Sequence, residues 1–251
     1  MYRHMEPRLW ILLRGRPYRY LQPEDTGART RLLVRHDPIG PTLASEELID
    51  WQLPRRGYNS SHARAIVDDV IPPADGALDL KLLIVFFGAN DAVLPGYEQH
   101  VDIAEYKENI KAIVQHPHVK QHGAKVVIIT PPPVYEHKRL PPGTRRNAVT
   151  KQYAEAAIDV AKETGAEVLK LWHVFMDHAG WKEGGPLIGD INAPTSEELG
   201  ELFTDGLHLT AKGYQLYFDS LMALLKERLP EIHDFERQYP NWGEAPRYRS
   251  E

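Results

Sequence analysis

The sequence predicts an α/β protein built on a doubly wound parallel sheet with helices on both faces. Two observations carry this. Short apolar runs end abruptly in turn residues, and amphipathic stretches with helical spacing alternate with them. A third supports them: 42% hydrophobic and 26% charged residues in a chain of 251 suit one sizeable globular domain.

The regular pattern begins at Gly57. Leu80–Phe87 (LKLLIVFF) runs into Gly88-Ala89-Asn90-Asp91 and reads as a strand buried on both faces. Asp102–Gln121 follows as a helix, with Ile103, Tyr106, Ile110, Ile113 and Val114 on one stripe. Lys125–Thr130 reads as a second strand, stopped by Pro131-Pro132-Pro133. Arg145–Thr164 is expected to be a helix with Val149, Tyr153, Ala156, Ala157 and Val160 inward and Gly165 closing it. Glu167–Trp172 is expected as a third strand and Gly180–Glu201 as a long surface loop. Thr210 is placed to cap a last helix carrying Tyr214, Tyr217, Leu221, Leu224 and Leu225 inward, and an extended tail follows from Pro230. Residues 1–56 are irregular. Only Leu9–Leu13 and Leu32–Val34 read as strands there, and Ala44–Trp51 as one or two helical turns. The chain therefore divides into an N-terminal segment, 1–56, and one α/β domain, 57–251.

Composition narrows the function. A net charge of −5 does not suit a general nucleic-acid binder. No apolar run approaches the roughly 20 residues of a membrane-spanning helix. The absence of cysteine removes disulfides, thiolate metal sites and a cysteine nucleophile. No secretory signal is read, and a cytoplasmic protein is expected. The arginine-rich residues 1–36 raise a mitochondrial leader as the alternative, but Glu6, Glu24 and Asp25 and the scarcity of serine count against it.

In open α/β sheets ligands bind beyond the carboxyl ends of the strands. That rule points to the loops at Gly88–Asp91, at Pro131–Tyr135 and after Trp172. Three constellations fit. In Asp205-Gly206-Leu207-His208 the carboxylate can orient the imidazole and make it a general base; by itself the spacing also describes a loop aspartate capping a turn beside a surface histidine. The Asn90 amide can donate to a developing oxyanion, an interaction worth about 10²–10³ in rate, although Gly, Asn and Asp are also ordinary strand-exit residues. Gly57 in Gly57-Tyr58-Asn59-Ser60 allows close backbone approach and a second N–H donor, or is simply a turn glycine.

In chain order these give Gly … Gly-x-Asn-Asp … Asp-x-x-His, which resembles the SGNH (GDSL-type) serine hydrolases. The stretches IVFFGANDAVLPGYEQHVDIAEYKENIKAIV, VVIITPPPV, TRRNAVTKQYAEAA and FTDGLHLTAKGYQL are similar to the isoamyl-acetate-hydrolysing esterase branch. The likeness runs from Gly57 to about Leu229. It implies the flavodoxin-like, SGNH type of sheet and hydrolysis of a small-molecule ester, acetate esters foremost, through an acyl-enzyme. His208 would be general base and then acid, Asp205 its orienting partner, and Asn90 and the Gly57 N–H the oxyanion hole. No metal or organic cofactor is needed. The oligomeric state is not legible.

The family's first block is a strand ending in Gly-Asp-Ser, and that serine is the nucleophile. This sequence has no Gly-Asp-Ser. Gly189-Asp190 continues with Ile191, and the run Leu9 to Gly15-Arg16-Pro17 puts proline where serine should stand. The first strand is thus read as absent or replaced, and no nucleophile is found. Ser60, Ser61 and Ser45 are poor substitutes; Ser45 reads as a helix N-cap. Losing the serine of such a triad costs on the order of 10⁶ in kcat, so the chain as written is expected to be inactive. A mis-joined upstream segment is favoured over a true loss, because the pattern before Gly57 is irregular and a missing central strand would expose two sheet edges. The rival readings are a non-catalytic binding protein on the same fold and a carbohydrate O-acetylesterase.

Weaker features complete the reading. His116, His118 and His122 raise a metal site but read as a solvated helix end or loop, so no metal is assigned. Trp172-His173 is a candidate pocket lining, and the resemblance places Pro131–Val134 beside the acyl pocket. Arg145-Arg146 reads as a solvated helix start, and Glu197, Glu198 and Glu201 as surface.

Overall fold

The computed structural model describes residues 57–74, 78–138 and 143–233, together with the backbone of two strands, Arg8–Gly15 and Leu48–Ile49. In chain order the elements are β1 (Arg8–Gly15), β2 (Leu48–Ile49), α1 (Ser60–Ala65), α2 (Val67–Val70), β3 (Leu78–Phe86), α3 (Ile103–Val114), α4 (Pro117–His122), β4 (Lys125–Ile129), α5 (Asn147–Thr164), β5 (Glu167–Leu169), α6 (Leu171–His178), α7 (Glu197–Gly200), α8 (Ala211–Arg228) and α9 (Pro230–His233). The strands form one sheet in the order β2-β1-β3-β4-β5.

β3, β4 and β5 are parallel. The side-chain period of two divides β3 between two cores. Leu83, Val85 and Phe87 pack with α1, α3 and α5 on one face. Leu82, Ile84 and Phe86 pack with α6 and α8 on the other. That division explains the unbroken apolar run and makes the expected doubly wound arrangement a fact of the fold.

β1 fills the slot that the sequence reading left open, but it runs the other way. It pairs antiparallel with β3, Arg8 opposite Phe86 and Gly15 opposite Leu78. Its other edge takes β2, also antiparallel. The sheet is therefore mixed, and both exposed-edge problems are met by a reversed strand. Leu9–Leu13 lies within β1 as expected. Leu48–Ile49 is a strand, not a helical turn, and the rest of 44–51, with Leu32–Val34, lies outside the described residues.

Several boundaries differ from expectation for local reasons. The helix expected over 102–121 is two. Proline cannot donate the backbone N–H that a helix interior requires, so Pro117 starts α4 anew, capped by the His116 ring. The strand expected to reach Trp172 ends at Leu169. Leu171, Trp172, Phe175 and Met176 then bury one face of α6. The run LWHVFM is apolar enough to serve either period, and the continuous core beneath it selects the helix. α7 interrupts the expected loop, starting at the Ser196 cap. Pro230–His233 is a helical turn rather than the start of an extended tail. α5 and α8 end and begin as read: Gly165 takes the left-handed C-cap, and Thr210 accepts a hydrogen bond from the Gly213 N–H. No helix among the described residues is long and apolar enough to cross a membrane.

The natural absence of cysteine makes the reversed strand easy to test. An Ile11→Cys/Leu83→Cys pair, opposite one another in this register, is expected to oxidise to an intramolecular disulfide in the folded protein. An Arg8→Cys/Leu78→Cys pair, which a parallel β1 would bring together, is expected to stay reduced. Non-reducing electrophoresis with peptide mapping reads both, and the opposite pattern contradicts the antiparallel pairing.

Candidate active site

The chain enters the site at Gly88, just past the carboxyl end of β3. Its φ is 114°, and a Cβ there would lie 2.9 Å from Pro131 Cγ, so only glycine lets the β3 and β4 exits approach. Asn90 and Asp91 follow, 6% and 0% exposed. The Asp91 carboxylate accepts the Ser60 N–H at 2.8 Å through one oxygen and the Gly88 N–H at 3.0 Å through the other. Ser60 is the first residue of α1, where backbone N–H groups favour an anion. Burial nevertheless raises the Asp91 pKa above its ordinary value, against the opposing pull of the Ser60 and Gly88 hydrogen bonds.

This carboxylate ties the segment around Gly57 to the β3 exit. Asn90 Nδ2 reinforces the link, donating to the Tyr58 carbonyl at 2.8 Å. Gly57 has a φ of 89° and offers its carbonyl to Gln99 Nε2 at 2.7 Å. A Cβ on Gly57 would sit 2.8 Å from that same nitrogen. Asn59 caps α1 through His62 N and donates to the Gln99 carbonyl. Asn90, expected in the oxyanion hole, is thus bonded to the residue that follows Gly57, the other expected donor.

Asp205 and His208 lie on the loop before α8. His208 Nδ1 and Asp205 Oδ2 are 2.6 Å apart, and Asp205 Oδ1 accepts the N–H groups of Leu207 and His208. Partial burial by itself would raise the Asp205 carboxyl, but the His208 ring and those two N–H groups outweigh it and hold the pKa below the ordinary value. The loop reaches the same rim of the sheet as Gly88: the Tyr135 N–H, in the β4 exit, donates to the Gly206 carbonyl at 2.9 Å. Pro131–Tyr135 are all buried beneath it.

Arg145 grips the β3 exit, and the sequence reading missed it. The expected solvated helix start is instead a half-buried pair. Arg145 Nη1 donates to the Ala89 carbonyl at 2.8 Å and Nη2 to Asn90 Oδ1 at 3.2 Å. Burial lowers the guanidinium pKa, while the carboxylates of Asp205 and Asp91 act in the opposite sense. Arg146 pairs with Glu136 at 2.9 Å. An arginine two residues before a helix is an ordinary surface pattern, so only tertiary structure reveals its partners.

The two described serines beside the Gly57 segment are both engaged. Ser60 Oγ is buried and accepts from Asn109 Nδ2; Ser61 Oγ donates to Glu105. Ser45 lies outside the described residues. Gly15, the nearest counterpart of the missing motif, pairs with Leu78 at the start of β3, the rim away from Asn90.

Trp172 lies in the core, where its Nε1 donates to Asn147 Oδ1, and His173 faces Glu155. The three histidines of HPHVKQH are not a solvated loop. His118 Nδ1 meets the Ile71 carbonyl, and His122 meets the Pro72 carbonyl and the Leu80 N–H. Asp68, His116 and His118 bring ligand atoms within 4.8 Å of one another. However, His116 Nδ1 accepts the His118 N–H, which puts the ring proton on Nε2, the atom facing Asp68. A metal there would have to displace that proton and break the α4 cap.

The profile of the GDSL-like lipase/acylhydrolase family matches residues 41–216. The chain belongs to this family. A GDSL esterase/lipase of Arabidopsis thaliana is 33% identical over 209 residues, 73% of this chain and 79% of that protein. A second from the same plant is 32% identical over 189 residues, 70% and 67%. The isoamyl acetate-hydrolyzing esterase 1 homolog of Homo sapiens is 30% identical over 187 residues, 70% and 68%. Among solved structures, the lipase/acylhydrolase from Enterococcus faecalis gives a TM-score of 0.49 at 21% identity, over 69% of this chain and 73% of that one.

In this GDSL-family chain the two aspartates of the site should titrate on opposite sides of the ordinary carboxyl value of 3.8. Carboxyl-carbon NMR is expected to find Asp205 below it and Asp91 above. The linkage signs follow. Asp205 contributes stability that is present above its unfolded pKa and lost as pH falls through its depressed folded value. Asp91 does the reverse, gaining relative stability as pH falls through its raised value. A normal titration of Asp205 would contradict its proposed bond to the His208 ring.

Proposed function

We propose that this rim is the site of a carboxylic-ester hydrolase acting on small acetate esters. The 2.6 Å contact between His208 Nδ1 and Asp205 Oδ2 supports the reading most directly. An ionised carboxylate can only accept, so Nδ1 carries the proton and Nε2 is the basic nitrogen. His208 is then the general base and, after proton uptake, the acid that protonates the departing alcohol. Asp205 fixes the tautomer and stabilises the imidazolium. The Asn90 amide and the Gly57 N–H receive the oxyanion.

The Gly-Asp-Ser block that carries the attacking serine in the family's reaction is missing from this sequence, and no substitute is found. We therefore hold the chain as written to be without useful turnover. The same absence favours one alternative, a protein that binds an ester or its acid on the same residues without cleaving it. Acetate esters are preferred as ligand because of the human isoamyl acetate-hydrolyzing relative.

Assay of the purified chain with p-nitrophenyl acetate is expected to give hydrolysis no more than about 10³–10⁴ above the uncatalysed rate, the residue left by an oxyanion hole and binding alone. Turnover larger by the ~10⁶ that a triad serine contributes, and abolished by His208→Ala, would show that a nucleophile exists and would overturn the inactivity claim. Equal rates for the wild-type chain, His208→Ala and Asn90→Ala, with no acetate binding by NMR, would sink the site itself.

A further inference from the structure

We propose that Arg145 is a positioning residue that fixes which way the Asn90 amide faces, and so decides whether an N–H is presented to the ester. The inference rests on the hydrolase reading of the site but concerns a residue that reading does not use.

The geometry is over-determined. Asn90 Oδ1 accepts from Arg145 Nη2, and Asn90 Nδ2 donates to the Tyr58 carbonyl. Rotating the amide by half a turn would set Oδ1 against the Tyr58 oxygen and the NH₂ group against the guanidinium donors. Both contacts would become repulsive, so the two partners select one orientation. In that orientation one Nδ2–H is committed to Tyr58. The second has no acceptor among the described residues, although Asn90 is buried. A buried amide N–H with no protein acceptor is costly, and a substrate oxygen would satisfy it.

Arg145 is itself held. Its other nitrogen is tied to the Ala89 carbonyl at 2.8 Å, and the preceding residue accepts the Leu94 N–H at 2.9 Å through the Thr144 carbonyl. The guanidinium thus grips two consecutive residues of the β3 exit with one planar fork. A lysine, with a compact ammonium and no fork, cannot reproduce both contacts in one plane. The positive group also lies within the fields of Asp205 and Asp91. Placement and charge are separable, and two substitutions separate them.

The test is NMR of the uniformly labelled full chain, read at the Asn90 side-chain amide and the Asp205 carboxyl. In the wild-type chain the two Nδ2 protons should be distinct and protected from exchange. Arg145→Lys should accelerate Asn90 amide exchange about tenfold or more while Asp205 keeps its low pKa. Arg145→Met should do the same and also raise the Asp205 pKa. Ethylguanidinium added to Arg145→Ala should restore the protected Asn90 signature, which a merely structural defect would not allow. If Arg145→Met does not fold, the lysine variant and the rescue still decide the matter. An unchanged Asn90 amide in folded Arg145→Lys, or no rescue in folded Arg145→Ala, overturns the proposal. None of these readouts needs turnover. A locked amide with no acetate binding, and equal rates for the wild-type chain, His208→Ala and Asn90→Ala, would retain this role and remove the hydrolase reading; acetate binding that is lost in His208→Ala, with an unchanged Asn90 amide in the Arg145 variants, would do the opposite.

Discussion

A buried carboxylate held by two backbone N–H groups sets the geometry of the rim. Asp91, fully buried, spends one oxygen on the first N–H of α1 and the other on Gly88. Those two bonds join segments 31 and 3 residues away and bring Tyr58 beside Asn90. Burying the charge costs the carboxyl part of its acidity, and the return is a fixed spacing between backbone and amide donors. The neighbouring contacts follow from it: Asn90 to Tyr58, Gln99 to Gly57, and Arg145 closing over Ala89.

The second half of the site is built differently. Asp205 and His208 need only a tight loop, because they are three residues apart and the aspartate also accepts the loop's own N–H groups. The loop is docked by one backbone hydrogen bond to the β4 exit. A local motif and a long-range frame therefore meet at the ends of two parallel strands, the place where this class of sheet binds ligands. The sequence has no Gly-Asp-Ser block to place at this rim. β1 occupies the right slot in reverse, so its glycine is carried to the far rim, and the rim end of the strand is Arg8.

The sequence displayed its periodic features well. β3, β4, α3, α5 and α8 were legible because each buries enough apolar surface to impose its own period, and their caps at Thr210 and Gly165 are local. Legibility failed where one pattern serves two structures. LWHVFM fits a strand or a helix, and the direction of Leu9–Leu13 is not encoded in apolar residues at all, since an alternating pattern reads the same both ways. The candidate site motifs were singled out through their order along the chain. Arg145 was not, because its partners are backbone and amide oxygens about 55 residues away, with no local signal. The histidines of HPHVKQH were misread as solvated for the same reason: their partners are carbonyls and an aspartate around residues 68–72.

The central claim is that the Asn90 amide and the His208–Asp205 pair open onto one cavity. A crystal structure of the protein soaked in acetate measures this directly. The account places one carboxylate oxygen about 2.7–3.1 Å from Asn90 Nδ2, the distance expected of an oxyanion donor, with His208 Nε2 lining the same void. An imidazole turned to the opposite side of the molecule from Asn90, with acetate bound elsewhere, would contradict it.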